Sequence, residues 1–237
     1  MKAIHNFLNE SFPNNPFDVI IKNKYYPQGL REIDVYDYYI HNKDNILKWI
    51  GNRQVAFRIR VNESSSVIRR KINGKPIYLT KSNFEQIIHG RVNSIYVEQP
   101  KMTNYFVIDI DLGSNLTMKH AIETSKILMS EFHGKYELIM SSDKGLHYIG
   151  QVNKTQNINI LRLKIQLLLE DKVESLNGES KIIYTVNRKN RKVNTINFDL
   201  SPMYDRSLHI AKYSLTKEFL ISDDPKNGLK RVKRNKS

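Results

Sequence analysis

The sequence predicts an α/β (α+β) fold whose sheet is antiparallel or mixed. Two observations carry this expectation. From residue 104 onward, segments with the two-residue period of strands and the three-to-four-residue period of helices follow in the order strand, helix, strand, strand, helix, strands. This order lacks the regular strand–helix alternation that a doubly wound parallel sheet needs.

Turn signals fill residues 1–30: Pro13, Asn14, Asn15, Pro16, Pro27 and Gly29. A helix is expected from Glu32 to Ile50, with Val35, Tyr36, Tyr39, Ile46 and Ile50 at roughly helical spacing and Gly51-Asn52 as the stop. Residues 54–80 read as strands, because QVAFRIRV alternates through Val55, Phe57, Ile59 and Val61. Asn73-Gly74, between RRKI and KPIYL, signals a hairpin. A further strand group starts near Ser94 in SIYVEQ.

YFVIDIDL, residues 105–112, reads as a strong strand. A helix then fits Met118, Ala121, Ile122, Ser125, Leu128, Met129 and Phe132. YELIMS and LHYIGQV are strands on either side of an SDKG turn, and an Ile/Leu-rich helix follows from about Ile158 to Glu170. Strands near Lys181–Val186 and Thr195–Leu200 complete the pattern. The expected division is a module over 1–103, a core over 104–222 and a mobile basic tail over 223–237.

A chain of 237 residues, 40% of them hydrophobic, can bury a sizeable core. Lys and Arg number 38 against 24 Asp and Glu, a formal charge of +14. This points to a polyanionic partner, nucleic acid or an anionic membrane face; the alternative is a lysine-heavy, AT-rich proteome. The absence of cysteine excludes disulfides and cysteine-ligated zinc or iron–sulfur centres. No apolar run reaches the roughly 18 residues of a membrane span, and MKAIHNFLNESF lacks the features of a signal peptide. The expectation is an intracellular, cytoplasmic protein with no membrane partner. No P-loop, GxGxxG, nucleophile elbow or HExxH is present.

Asp109 and Asp111 stand two apart in FVIDIDLG, so a strand points both carboxylates to one face. Two adjacent like charges repel unless a cation lies between them, and Mg²⁺ or Mn²⁺ suits a carboxylate site. The alternative is a solvated strand end. In SSDKGLH, Gly145 permits a tight turn, and Ser141, Lys144 and His147 offer donors to phosphate oxygens; an ordinary polar hairpin is the alternative. Asp199 ends the apolar strand INFD, either as a third carboxylate or as an edge-strand Asp. Arg188, Lys189, Arg191 and Lys192 could hold a nucleic-acid backbone or form a solvated hairpin tip. His209, Lys212 and Lys217 follow as further phosphate-reaching candidates.

Together the three motifs resemble the archaeo-eukaryotic primase (primase–polymerase) superfamily. That family has a hydrophobic run with D-x-D, here VIDID; then S-G-x-K/R-G-x-H, here SSDKGLH; then a hydrophobic strand ending in Asp, here INFD. Within it the chain is most similar to the polymerase domain of bacterial ligase D and its stand-alone archaeal relatives. Asp199 is followed, after about a dozen residues, by Ala211-Lys212-Tyr213-Ser214-Leu215, where those proteins carry A-P-Y-S-L. KYYPQG, Asp37-Tyr38-Tyr39 and GNRQV echo the family's N-terminal pattern, so the likeness spans about residues 20–220.

The resemblance implies a primase fold, with an RRM-like catalytic core packed on an N-terminal α/β module and the site in a cleft. It implies template-dependent transfer of NTP or dNTP to a 3′-hydroxyl. Asp109, Asp111 and Asp199 would bind two divalent metals, Mg²⁺ or Mn²⁺, with no zinc. Ser141, Lys144, His147, Arg58 and Lys217 would contact the nucleotide, and Lys24 or Lys22 a DNA 5′-phosphate. Expected partners are DNA template and primer, nucleoside triphosphates and separate replication or repair chains. The chain departs from the family at Ser142 for Gly, Lys212 for Pro and Thr216 for a basic residue, and at Glu98, near a family His position. The rival readings are a catalytically silent nucleic-acid-binding module and a non-templated nucleotidyltransferase.

Overall fold

Contacts divide the chain into two units: Met1–Glu98 with Ile210–Ser222 and Leu229–Ser237, and Gln99–His209 with Asp223–Gly228. The computed structural model describes residues 20–60, 66–88, 91–132, 134–178, 181–188 and 193–233. The expected 103/104 boundary thus lies inside the second unit, and the chain returns to the first unit after His209.

In the first unit, β1 (Ile20–Asn23) and β2 (Tyr26–Arg31) form an antiparallel hairpin. The single helix expected over 32–50 is two, α1 (Glu32–His41) and α2 (Lys43–Ile50). The break falls at Asn42, whose side-chain amide donates to the Tyr38 carbonyl at 2.9 Å and so competes with the helix for that acceptor. Antiparallel strands β3 (Val55–Arg60), β4 (Ser66–Arg69) and β7 (Val92–Glu98) run in the order β4-β3-β7. Between β4 and β7 lie the short β5 (Lys71–Ile72), β6 (Lys75–Pro76) and α3 (Phe84–Ile88). Asn73 and Gly74 both have positive φ, 51° and 75°, which suits the tight turn joining β5 to β6.

Tyr39, Ile46, Phe57, Phe84 and Ile95 form the centre of this unit's core. The Tyr39 hydroxyl donates to the Asn93 carbonyl at 2.7 Å, and burial pushes its pKa well above the usual phenol value. The returning segment docks through the Ala211 N–H on the Ile95 carbonyl, at 2.9 Å. The expected mobile tail needs correction over its described part: Val232 is buried, and its N–H donates to the Tyr26 hydroxyl at 2.8 Å. One apolar side chain in a basic run is enough to anchor it.

The second unit holds β8 (Met102–Leu112), α4 (Met118–Phe132), β9 (Tyr136–Ser142), β10 (Gly145–Asn157), α5 (Ile158–Asn177), β11 (Ile183–Val186) and β12 (Thr195–Asp199). Its five-stranded sheet has the order β11-β12-β8-β10-β9. Leaving β11 aside, this is a βαββαβ chain with the fourth strand beside the first and the third between the first and second. All pairings are antiparallel except β11 with β12, so the RRM-like core expected from the sequence is present.

The period of the strands decides which face is packed. Phe106, Ile108, Ile110 and Leu112 of β8 join Leu146, Tyr148, Ile196 and Phe198 beneath Ala121 and Leu128 of α4 and Leu161, Ile165 and Leu169 of α5. Gly150 lies in this layer because a Cβ there would come within 2.3 Å of the Phe106 ring. The residues between them, Asp109 and Asp111 included, point to the opposite face. No helix among the described residues is long and apolar enough to cross a membrane.

Candidate active site

The sheet register collects the motif residues of the second unit at one end of this opposite face. Asp109 lies across from His147 on one side and Asp199 on the other. Asp111 lies across from Gly145 and Asn197. Directly opposed residues of antiparallel strands have Cα atoms about 4.5–5.5 Å apart, so motifs far apart in sequence become neighbours. Asp111 is 9% exposed, while the Asp109 side chain is 23% exposed.

The β9–β10 turn brings the second motif against Asp109. The register slips between Gly145 and Leu146, leaving Ser141 as an extra residue in β9. Such a bulge re-aims a side chain, and here the Ser141 hydroxyl donates to Asp109 Oδ1 at 3.1 Å. His147 Nε2 stands 3.7 Å from the same oxygen. The His147 Nδ1 is buried without a hydrogen-bond partner. The glycine has a steric reason: a Cβ at Gly145 would meet Ser141 Oγ at 2.5 Å, Ser142 Oγ at 2.9 Å and Asp109 Oδ1 at 3.5 Å.

Two sequence candidates are engaged differently from the expectation. The Lys144 ammonium donates to the carbonyls of Ser114, at 3.2 Å, and Leu116, at 2.5 Å, and so ties the turn to the β8–α4 loop. Asp199 is opposite Asp109 in register, yet its carboxylate accepts from the Ser201 N–H at 2.8 Å and the Ser201 hydroxyl at 3.0 Å. Ser201 escaped the sequence reading. An Asp two residues before Ser-Pro is the local signal for such a turn.

His209 needs a correction. It is fully buried, its ring centroid 5.9 Å from that of Tyr105 and 6.4 Å from that of His147, so it is not a surface phosphate contact. Asn197, also missed, is buried opposite Asp111, and its Oδ1 accepts from Thr185 Oγ1 and the Arg188 N–H.

The donor chemistry suits a hard divalent cation in part. Asp109 and Asp111 are two carboxylates on one face, the oxygen ligands that Mg²⁺ and Mn²⁺ prefer. Among the described residues, no three His, Asp or Glu side chains converge as a metal-holding group. Asp199 joins the pair only by leaving Ser201.

The remaining candidates are placed as follows. Arg58 in β3 donates to the Tyr96 hydroxyl and to Ser66 Oγ, both at 3.1 Å. Lys217 is exposed, 3.5 Å from Glu218, and Lys212 Nζ stands 5.5 Å from the Tyr213 ring centroid. The Lys24 ammonium stands 5.0 Å from the Tyr25 ring centroid, and Lys22 is exposed. Arg188 is exposed at the end of β11; Lys189, Arg191 and Lys192 lie outside the described residues. Glu98 is buried, 3.9 Å from Arg70.

An RRM-like sheet with paired carboxylates opposite its helices is the arrangement that the primase–polymerase resemblance implies. Among solved structures, the chain matches the polymerase domain from Mycobacterium tuberculosis ligase D, in complex with DNA, at a TM-score of 0.72 and 14% identity, over 89% of this chain and 84% of that one. The chain therefore has the primase–polymerase α+β fold. By sequence it matches no protein-family model and no curated protein.

Proposed function

We propose that this chain is a nucleotidyltransferase of the primase–polymerase type, adding NTP or dNTP to a 3′-hydroxyl on a nucleic-acid template. The observation that carries the proposal is the pairing of Asp109 and Asp111 on the sheet face opposite the helices, with His147 and Ser141 beside them and Asp199 across. The likeness in fold to a polymerase domain solved with DNA supports it, as does the +14 charge. In the reaction, the 3′-oxygen attacks the α-phosphorus, a new phosphodiester bond forms, and the bond to pyrophosphate breaks.

Asp109 and Asp111 would hold divalent metal, with Asp199 completing the set. Mg²⁺ or Mn²⁺ bound there would supply acidification of the attacking hydroxyl and neutralisation of the leaving pyrophosphate. Ser141 and His147 keep Asp109 in place from the flank, and His147 has an unspent ring nitrogen. Lys144 is close enough in sequence and space to reach a triphosphate once it leaves the loop carbonyls. Arg58 and Lys217 are proposed nucleotide contacts. Lys24, Arg188, Lys189, Arg191 and Lys192 are proposed backbone contacts, which positions DNA without reading its sequence.

One observation favours a second reading, a nucleic-acid-binding module without catalysis: Asp199 is held by Ser201 rather than turned to the pair. A labelled primer on templates of different sequence, with Mn²⁺ and dNTPs or NTPs in turn, separates the readings. Products that follow each template support the proposal. Incorporation indifferent to template means non-templated transfer, and binding without incorporation means the silent module.

A further inference from the structure

Helix α5 has an apolar stripe on the side away from its core. Ile158, Leu161, Ile165 and Leu169 are buried against the sheet. Ile160, Leu163, Leu167 and Leu168 are 53%, 53%, 67% and 49% exposed. At about 100° per residue, Ile160, Leu163 and Leu167 fall within about 60° of one another, roughly opposite the buried stripe, with Leu168 on their flank. A surface helix needs one apolar stripe; a contiguous second one marks a contact surface.

The charges along the stripe identify its occupant. Lys164 stands beside the N-terminal half, and Glu170, Asp171 and Glu174 beside the C-terminal half; all four are exposed. The Lys164 ammonium has a neutral partner, Gln156 Oε1, at 3.1 Å. Two copies of α5 side by side in parallel would set like charges together. In antiparallel order, a two-fold axis near Leu167 sets Lys164 of each copy against Glu170 and Asp171 of the other. The same axis places Leu167 and Leu168 of both copies at the centre. A surface complementary to itself under a two-fold rotation is what an isologous dimer requires.

We propose that the exposed face of α5 pairs with a second copy of this chain as an antiparallel homodimer. The stripe lies on the helix side of the sheet, away from the face of Asp109 and Asp111, so α5 pairing does not occupy the carboxylates. The 20-residue helix is about 30 Å long. A contact of one helix pair is small, so association on the order of micromolar is expected. This inference stands independently of the proposed nucleotidyl transfer.

Sedimentation equilibrium of the full chain, without nucleic acid, tests it. The wild-type mass should rise from one copy to two across the micromolar range, and Leu167→Glu should remain single. Lys164→Glu should weaken the dimer at least about tenfold, and adding Glu170→Lys and Asp171→Lys to it should restore the dimer. Melting curves confirm that each variant folds, as substitution at exposed positions should allow. A wild type that stays single throughout overturns the proposal. So does a dimer indifferent to Leu167→Glu, or a charge reversal that fails to restore association.

Discussion

Gly145→Ala probes the link between the second motif and the carboxylates. The added Cβ would lie 2.5 Å from Ser141 Oγ and 2.9 Å from Ser142 Oγ, inside any normal contact. The backbone of Gly145 is not in the left-handed region, so the penalty is steric alone. Ser141 can relieve the closest approach only by rotating, and that breaks its 3.1 Å bond to Asp109. A hydrogen bond to a charged group is worth about 1.5–3 kcal/mol, and overpacking costs about 1–3 kcal/mol. Either route gives a destabilisation of about 1–3 kcal/mol, a drop in Tm of about 2–4 °C per kcal/mol. Because Asp109 also loses a restraint, Mn²⁺ affinity should fall. The double variant Ser141→Ala/Gly145→Ala removes the nearest atom, and its stability should fall by less than the sum of the two single effects. Calorimetric melting and Mn²⁺ titration measure both quantities. If Gly145→Ala melts and binds Mn²⁺ as the wild type does, the account of this turn is refuted.

Three further outcomes follow from the same geometry. Ser201→Ala removes one of the two bonds that hold Asp199, and should raise Mn²⁺ affinity by isothermal titration; an unchanged titration means Ser201 does not restrain the carboxylate. Gly150→Ala should cost about 1–3 kcal/mol by pressing on the Phe106 ring while leaving Mn²⁺ binding unchanged, since it faces the helices; a loss of binding would mean the two sheet faces are not separable. Burial pushes the Tyr148 phenol from 10.0 up to about 12, so the fold favours the neutral form. Its contribution to stability is complete below pH 10 and is lost as pH rises from there through about 12. Tyr148→Phe should reduce that alkaline loss, by up to about 3 kcal/mol; denaturant titrations giving the same slope with pH for both proteins would contradict the assignment.

Much of the second unit was legible because period and register are local properties. FVIDIDL alternates so strictly that the face of Asp109 and Asp111 follows from the sequence, and SSDKGLH announces its turn through Gly145. The break at Asn42 hides in an otherwise helical pattern, since it depends on a side-chain bond to Tyr38. Helix α5 continues seven residues past the expected Glu170, through a charged stretch with Val173 and Leu176 as its apolar members. Helix α3 has five residues, too few for a periodic signal. The states of Lys144 and Asp199 were out of reach for different reasons. Lys144 finds its acceptors in a loop roughly thirty residues away, whereas Asp199 makes a rotamer choice between Ser201 and the carboxylate pair that strand pattern does not encode.

The central claim is that Asp109 and Asp111 carry metal-dependent nucleotidyl transfer, and extension of a primed template with Mn²⁺ tests it most directly. The wild type should lengthen the primer and release one pyrophosphate per nucleotide, while Asp109→Ala and Asp111→Ala, folded by melting curve, should do neither. A wild type that binds the primed template without lengthening it, or an Asp111→Ala variant that still extends it, would contradict the account.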